Sequence, residues 1–160
     1  MSCDVAVSAV LLLASFNPAP APAPKLVPAV GEAPAAANPL AREPLFARII
    51  GEAKALTAAV DGYRETVKSG AKALPGLDGF QKRISTLADL DMKGHLELAA
   101  RGTDGDLKCI LRGIAQDLPR KLDELMKADG SAAQDVALRD MRYLLVDNVE
   151  VITAPPAPPV

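Results

Sequence analysis

The chain has 160 residues, a formal net charge of −2, and only two tyrosines and three phenylalanines, although 49% of its residues are hydrophobic. Because Lys and Arg are interspersed with Asp and Glu, no basic patch attracts nucleic acid. Two cysteines and one histidine are too few for a disulfide framework or for a metal site with several histidines. The composition therefore predicts no nucleic-acid partner and no cofactor.

An uncharged, mostly apolar run, Val5 to Phe16, stands near the start of the chain. As a helix it would span about 18 Å at ~1.5 Å per residue, short of the ~30 Å hydrocarbon core, so no transmembrane span is predicted. Its length fits a secretory signal peptide, but no Lys or Arg precedes it. Residues 1–16 therefore leave two localisations open, cytoplasmic or exported, and their cleavage stays an open question.

Prolines mark both ends of the chain, seven of them between Pro18 and Pro39 and four between Pro155 and Pro159. Proline fixes φ and pushes the residue before it out of the helical region, which gives an extended rod of ~3.1 Å per residue. The pattern predicts an Ala/Pro-rich spacer over 17–42 and a Pro-rich tail over 154–160. Between these extended arms, residues 43–153 are predicted to form an all-α domain, an irregular bundle of four to six helices.

The first helix is predicted to begin at Glu43-Pro44, since proline is tolerated in a first helical turn. Its apolar positions recur at alternating spacings of three and four, reaching Gly70 and Leu74, and Pro75-Gly76 is expected to stop it. This heptad seam is formed by Phe46, Ile49, Ala53, Leu56, Val60, Tyr63 and Val67. The seam fits an internal bundle or a homodimeric coiled coil, and the apolar faces elsewhere in the chain favour the bundle.

The second segment starts with the same spacing and then loses it. If one helix ran on to Ala100, Asp91 would point into the core while Met92 and Leu96 pointed away from it. A break is therefore predicted near Leu90. Two continuations compete, a short helix from about Asp91 to Arg101 or a hairpin over 90–98, and the helix is favoured.

The third apolar stripe begins after a cluster of turn residues, Thr103 to Asp106, and runs from Leu107 to Leu125. Pro119 lies inside it, which predicts a kink or two abutting helices near Asp117. A last helix is predicted from Ser131, which has the spacing of a capping box with Gln134. Its inward positions are Ala133, Ala137, Leu138, Met141, Leu144 and Leu145. Beyond Val146 the pattern fits either more helix or a short extended piece.

His95 is one of two candidate functional residues. A helical bundle with one exposed histidine is the architecture of phosphotransfer domains, but the sequence around His95 does not reproduce the motif of that family. The interpretation weighed against phosphotransfer is a surface or half-buried structural histidine.

Cys109 is the other candidate, because a helical projection places it almost opposite the Leu107 stripe. If Asp106 is the cap, Cys109 is the third helical residue, where the positive helix end stabilises a thiolate. That position allows redox sensing, or a disulfide with Cys3 or with a second subunit. The alternative is that Cys109 packs against the segment Leu90 to Leu98.

Neither a strand-to-helix serine elbow nor a phosphate-binding glycine loop occurs in the sequence. We therefore assign no catalytic, cofactor-binding or metal-binding residue. The sequence predicts a non-enzymatic binding or adaptor module, displayed on an Ala/Pro-rich linker, that acts through contacts with a protein partner. Two alternatives stay open: an exported or envelope-associated helical protein, and a signalling domain that uses His95 or Cys109.

Overall fold

The computed structural model describes residues 38–71, 73–102 and 105–154. Within these ranges all regular secondary structure is helical, which confirms the predicted all-α class, with four α-helices and one short 3-10 helix. Residues 1–37 and 155–160, to which most of the predicted arms belong, lie outside the described residues. The elements are the 3-10 helix Pro39–Arg42, α1 (Pro44–Lys68), α2 (Leu77–Ala100), α3 (Leu107–Lys127) and α4 (Ser131–Thr153).

The four helices form an up-down-up-down bundle. Each helix packs against its two neighbours in a ring, α1 with α2 and α4, and α3 with α2 and α4. The helices α2 and α4 are therefore diagonally opposed across the bundle axis. Salt bridges from Arg64 to Asp135 and from Arg142 to Asp61 join the late part of α1 to the early part of α4, which shows that these two helices are antiparallel. This is the geometry that short connections between amphipathic helices favour.

All seven predicted seam residues of α1, from Phe46 to Val67, are buried, which confirms the heptad interpretation of this face. The other helices of the same chain cover the seam. Glu43 is the N-cap and Pro44 the first helical residue, as predicted. Residues Pro39–Arg42, which the sequence placed in the spacer, form the 3-10 helix, and Leu40 packs against the core.

The end of α1 is not where the prolines suggested. The helix stops at Lys68, well before Pro75, because Gly70 adopts a positive φ of 81°. Gly70 N–H donates to the Val67 carbonyl at 3.0 Å, and Ala71 N–H donates to the Thr66 carbonyl at 3.3 Å. This pair of bonds is a Schellman motif, which satisfies carbonyls of the last helical turn.

The predicted break near Leu90 is wrong. Helix α2 is continuous from Leu77 to Ala100, so neither a second helix starting at Asp91 nor a hairpin over 90–98 forms. Asp91 does point into the core, and Leu96 is 58% exposed. The prediction failed because it assumed that a carboxyl group would not be placed in the core, whereas α4 supplies a polar partner for it.

Pro119 lies inside α3, which runs as one helix from Leu107 to Lys127, so the alternative of two abutting helices is wrong. Proline lacks the amide hydrogen that an interior helical position would donate. Pro119 is exposed, and the carbonyl that it leaves without an intrahelical donor is that of Ala115, one turn earlier. The predicted stripe is buried at Leu111, Ile114, Leu118, Leu122 and Leu125, while Leu107 is half-buried.

The capping box at the start of α4 does not form. Gly130 is the N-cap and Ser131 the first helical residue, with no side-chain capping bond. Ser131 therefore lies one residue too far into the helix to accept the capping hydrogen bond. The helix continues to Thr153, which resolves the alternatives beyond Val146. Of the predicted inward residues Ala133 is exposed and Leu144 half-buried, whereas Ala137, Leu138, Met141 and Leu145 are buried.

The described chain enters and leaves the domain at the same end of the bundle. Asn38 N–H donates to the Thr153 carbonyl at 3.4 Å, and the Asn38 side-chain amide donates to the Ile152 carbonyl at 2.8 Å. The connections between α1 and α2 and between α3 and α4 lie at the opposite end, which we call the connection end. At ~1.5 Å per residue the helices separate the two ends by about 30 Å.

Candidate functional site

His95 lies on α2 against the start of α3. Its Nδ1 is 2.6 Å from the Lys108 carbonyl oxygen, and the ring is half-buried. Because a carbonyl oxygen only accepts, Nδ1 carries the proton that it donates there. His95 is therefore a half-buried histidine whose ring is held by a backbone carbonyl at the start of α3.

Cys109 is the third residue of α3, since Asp106 occupies the N-cap position as predicted. The Asp106 side chain makes no capping hydrogen bond. Cys109 is half-buried and disulfide-bonded. Cys3, the other cysteine of the sequence, lies outside the described residues. The fold brings the two candidate residues to the same corner, because the carbonyl that His95 contacts belongs to the residue before Cys109.

An ionic group closes the end of α2 near this corner. Arg101 forms salt bridges with Glu43, the N-cap of α1, and with Glu97 one turn earlier on α2. Hydrogen bonding to Arg101 lowers the pKa of the Glu43 carboxyl. All three side chains are solvent-accessible, so the group ties the ends of α1 and α2 together without creating a charged cavity.

The structure places in the core of the bundle a polar pair that the sequence interpretation missed. Asp91 on α2 and Asn148 on α4 are both 0% exposed. Asn148 Nδ2 donates to Asp91 Oδ2 at 2.8 Å. The remaining oxygens, Asp91 Oδ1 and Asn148 Oδ1, have no hydrogen-bond partner among the described residues. A buried acceptor without a donor costs roughly 1–3 kcal/mol, so this pair is the main polar irregularity of the described core.

Burial raises the pKa of Asp91 from 3.8 to about 8, and the hydrogen bond from Asn148 partly opposes that rise. The physical cause is the loss of water around the charged form of the carboxyl. At neutral pH the carboxyl is therefore mostly protonated in the folded protein. Perturbed carboxyl groups of this kind occur at functional sites and in buried structural networks.

One signal in the sequence could have found this pair. Asp91 falls on the inward face of an otherwise regular α2 pattern, which the sequence interpretation removed by breaking the helix. Asn148 falls on the inward face of α4, three residues after Leu145 and three before Val151. Two polar residues on the inward faces of two predicted helices indicate a buried polar pair.

A small cleft of about 230 Å³ opens at the connection end of the bundle. It is lined by Ala73, Leu74, Leu77, Leu125, Met126, Ala128 and Gln134. Met126 is 49% exposed, and its sulfur lies 2.9 Å from Gln81 Nε2. Residues of α2, α3 and α4 and of the two connections at this end border the cleft.

Residues 38–71, 73–102 and 105–154 contain no group of three or more His, Cys, Asp or Glu side chains placed to hold a metal ion. Among the helices of the same ranges, none has the length and apolar character needed to span a bilayer.

Comparison of the chain with protein-family models, with curated proteins and with solved structures found no match. Inferences about its function therefore rest on the geometry of its own residues, the corner of His95 and Cys109, the Asp91–Asn148 pair and the cleft at the connection end.

Proposed function

We propose that the helical domain is a non-enzymatic binding module that acts through contacts with a protein partner, displayed on the Ala/Pro-rich spacer. The cleft at the connection end carries this proposal. Its wall combines buried Leu125 with the accessible side chains of Leu74, Leu77 and Met126. Apolar side chains around a concave surface are typical of positions where a partner inserts an anchor residue.

The size of the cleft favours a partner side chain over a small-molecule ligand. Its volume of about 230 Å³ lies below the ~300–1,000 Å³ of pockets that enclose drug-sized ligands. One aliphatic or aromatic side chain projecting from a protein surface is the occupant that we propose. Met126 suits such a site, since its unbranched, polarizable side chain adapts to the shape of an inserted group.

The position of the cleft supports the proposal that the domain is displayed on its spacer. The chain enters and leaves the domain where Asn38 meets Thr153, about 30 Å from the connection end by helix length. A partner at the cleft therefore meets the face of the domain that is farthest from the attachment of the spacer.

Site-specific photo-crosslinking tests the proposal. A photoactivatable amino acid is placed at position 126 or, as a matched control, at position 96, another exposed apolar position near the end of a helix but at the opposite end of the bundle. In cells that naturally produce the chain, we expect position 126 to give a discrete adduct with another protein that position 96 does not give. Met126→Lys should abolish this complex in a pull-down and Leu96→Lys should preserve it. Equal adducts from both positions, or none from position 126, would contradict the proposal.

A further inference from the structure

The Asp91–Asn148 pair joins two helices that do not otherwise pack against each other. Helices α2 and α4 are diagonally opposed, and each packs on α1 and α3. The 2.8 Å hydrogen bond from Asn148 Nδ2 to Asp91 Oδ2 therefore crosses the bundle axis, between two side chains that are 0% exposed. This hydrogen bond joins the two diagonal helices directly at this level of the core.

The unpaired oxygens of the two side chains indicate where a proton belongs. A carboxylic acid and a primary amide are planar groups of matching shape, so two parallel hydrogen bonds can join them. The first of these, from the amide nitrogen to the acid, is present. With Asp91 protonated on Oδ1, the second would run from that hydroxyl to Asn148 Oδ1, and both oxygens that lack a partner would be satisfied.

We propose that Asp91 and Asn148 form a proton-operated latch across the bundle axis: the protonated acid makes two hydrogen bonds to the amide, and loss of that proton releases α2 from α4. The ionised carboxylate accepts the bond from Nδ2 but has nothing to donate to Asn148 Oδ1. It also places a negative charge in a core position that water does not reach. Both effects favour separation of the two helices when the proton leaves.

The surroundings of Asp91 supply no neutralising cation at hydrogen-bond distance among the described residues. Burial and the Asn148 hydrogen bond are the causes of its pKa shift. The side chains of Phe46, Ile49 and Leu111 surround the position that a Cβ at neighbouring Gly94 would occupy, which locates this level on α1 and α3. Close to these positions along the chain, the titratable and charged residues are Arg48 and Glu52 on α1, Lys108 and Arg112 on α3, Asp147 and Glu150 on α4, and His95 on α2.

The direction of the pH response follows from the raised pKa. Below about pH 4 the acid is protonated in both the folded and the unfolded chain, and its contribution to stability is complete. Between the unfolded value of 3.8 and the folded value of about 8, unfolding releases the proton, so the folding equilibrium constant falls about tenfold per pH unit. Above the folded pKa both states are ionised and the loss is complete.

Asp91→Asn is the decisive variant, because an amide at position 91 preserves the shape and both hydrogen bonds but does not titrate. We expect the ratio of its folding equilibrium constant to that of the wild type to rise about a hundredfold between pH 5 and pH 7, as measured by urea unfolding of the full chain. Asp89→Asn makes the same chemical change at an exposed position of α2 and should leave the ratio nearly constant. A ratio for Asp91→Asn that stays constant with pH would overturn the proposal.

Two measurements on the wild type keep the test independent of how the variant folds. The side-chain carboxyl carbon of Asp91, followed by NMR, should titrate with a midpoint near pH 8, and a midpoint near pH 4 would overturn the proposal. Hydrogen exchange, corrected for its intrinsic pH dependence, should show protection lost between pH 6 and pH 9 around residues 87–95 and 144–152 first. Uniform loss along all four helices would show global destabilisation and would exclude a latch.

Discussion

The two ends of the bundle core bury polar groups in different ways. Near the connection end, Tyr63 packs edge-on against Phe80 with ring centroids 5.0 Å apart, and its hydroxyl donates to the Pro75 carbonyl at 2.9 Å. Toward the end where the chain enters and leaves, Asp91 and Asn148 are fully buried and leave two oxygens without a partner. The first arrangement is independent of pH over the physiological range, whereas the second changes its hydrogen bonding when one proton leaves.

This difference separates a region whose contribution to stability is the same at every physiological pH from a region whose contribution changes with pH. A neutral hydroxyl that reaches an exposed carbonyl costs little to bury, and the aromatic pair around it adds apolar contact. A carboxyl at the bundle axis has no exposed hydrogen-bond partner, so its protonation state is coupled to folding. Substitutions at the two ends should therefore differ in their pH dependence as well as in their magnitude.

The largest effect is expected from Phe80→Ala at the connection end. This change removes a buried ring and its edge contact with Tyr63, so we expect a loss of about 3–5 kcal/mol in the free energy of unfolding. The loss should be the same at pH 5 and pH 8 in denaturant unfolding. Leu96→Ala, at a 58% exposed position, is the control and should cost less than ~0.5 kcal/mol. A strongly pH-dependent loss for Phe80→Ala would remove the contrast between the ends.

An intermediate effect is expected from Asn148→Ala. Asp91 then loses its hydrogen-bond donor, and we expect a cost of about 1–3 kcal/mol at pH 5. The cost should be larger at pH 8, because the hydrogen bond that lowers the pKa of Asp91 has gone. Gln116→Ala, at an exposed position of α3, should change the free energy of unfolding by less than ~0.5 kcal/mol at either pH. Equal costs for Asn148→Ala at both pH values would count against ionisation of Asp91.

The smallest effect is expected from Tyr63→Phe at the connection end. It removes the hydroxyl that donates to Pro75 and preserves the ring, so we expect a loss of about 0.5–1.5 kcal/mol. Pro75 is exposed, and water can replace the lost donor, which places the value toward the low end of that range. Tyr143→Phe makes the same change at a 71% exposed ring and should have no measurable effect in thermal unfolding. A loss larger than that of Asn148→Ala would reverse the proposed ranking.

Apolar periodicity predicted the helices well where each inward position is hydrophobic. The whole buried face of α1 and most of that of α3 follow from spacings of three and four, since such a face must be covered to leave water. Predictions based on single residues were less successful. Pro75 was assigned the helix stop that Gly70 provides, and Ser131 was assigned the cap position that Gly130 occupies. Several neighbouring residues can each stop or cap a helix, and the backbone conformation decides which of them does so.

The candidate site could also be predicted only in part. The sequence identified His95 and Cys109 from their chemistry and offered, as one alternative, that Cys109 packs against the segment that contains His95. Whether the two residues meet depends on α2 packing against the start of α3. The cleft could not be predicted, because its wall joins residues from the two connections at one end of the bundle. Residues far apart in the chain become neighbours only when the helices pack.

Hydrophobic spacing and proline act locally on the backbone, and they are enough to predict an all-α domain between Ala/Pro-rich segments. The continuation of α2 through Asp91 depends on tertiary structure. That outcome requires Asn148, 57 residues away, to lie across the bundle axis and donate a hydrogen bond. A carboxyl group that local reasoning excludes from a core is accommodated there because a distant helix supplies its partner and the buried site keeps its proton.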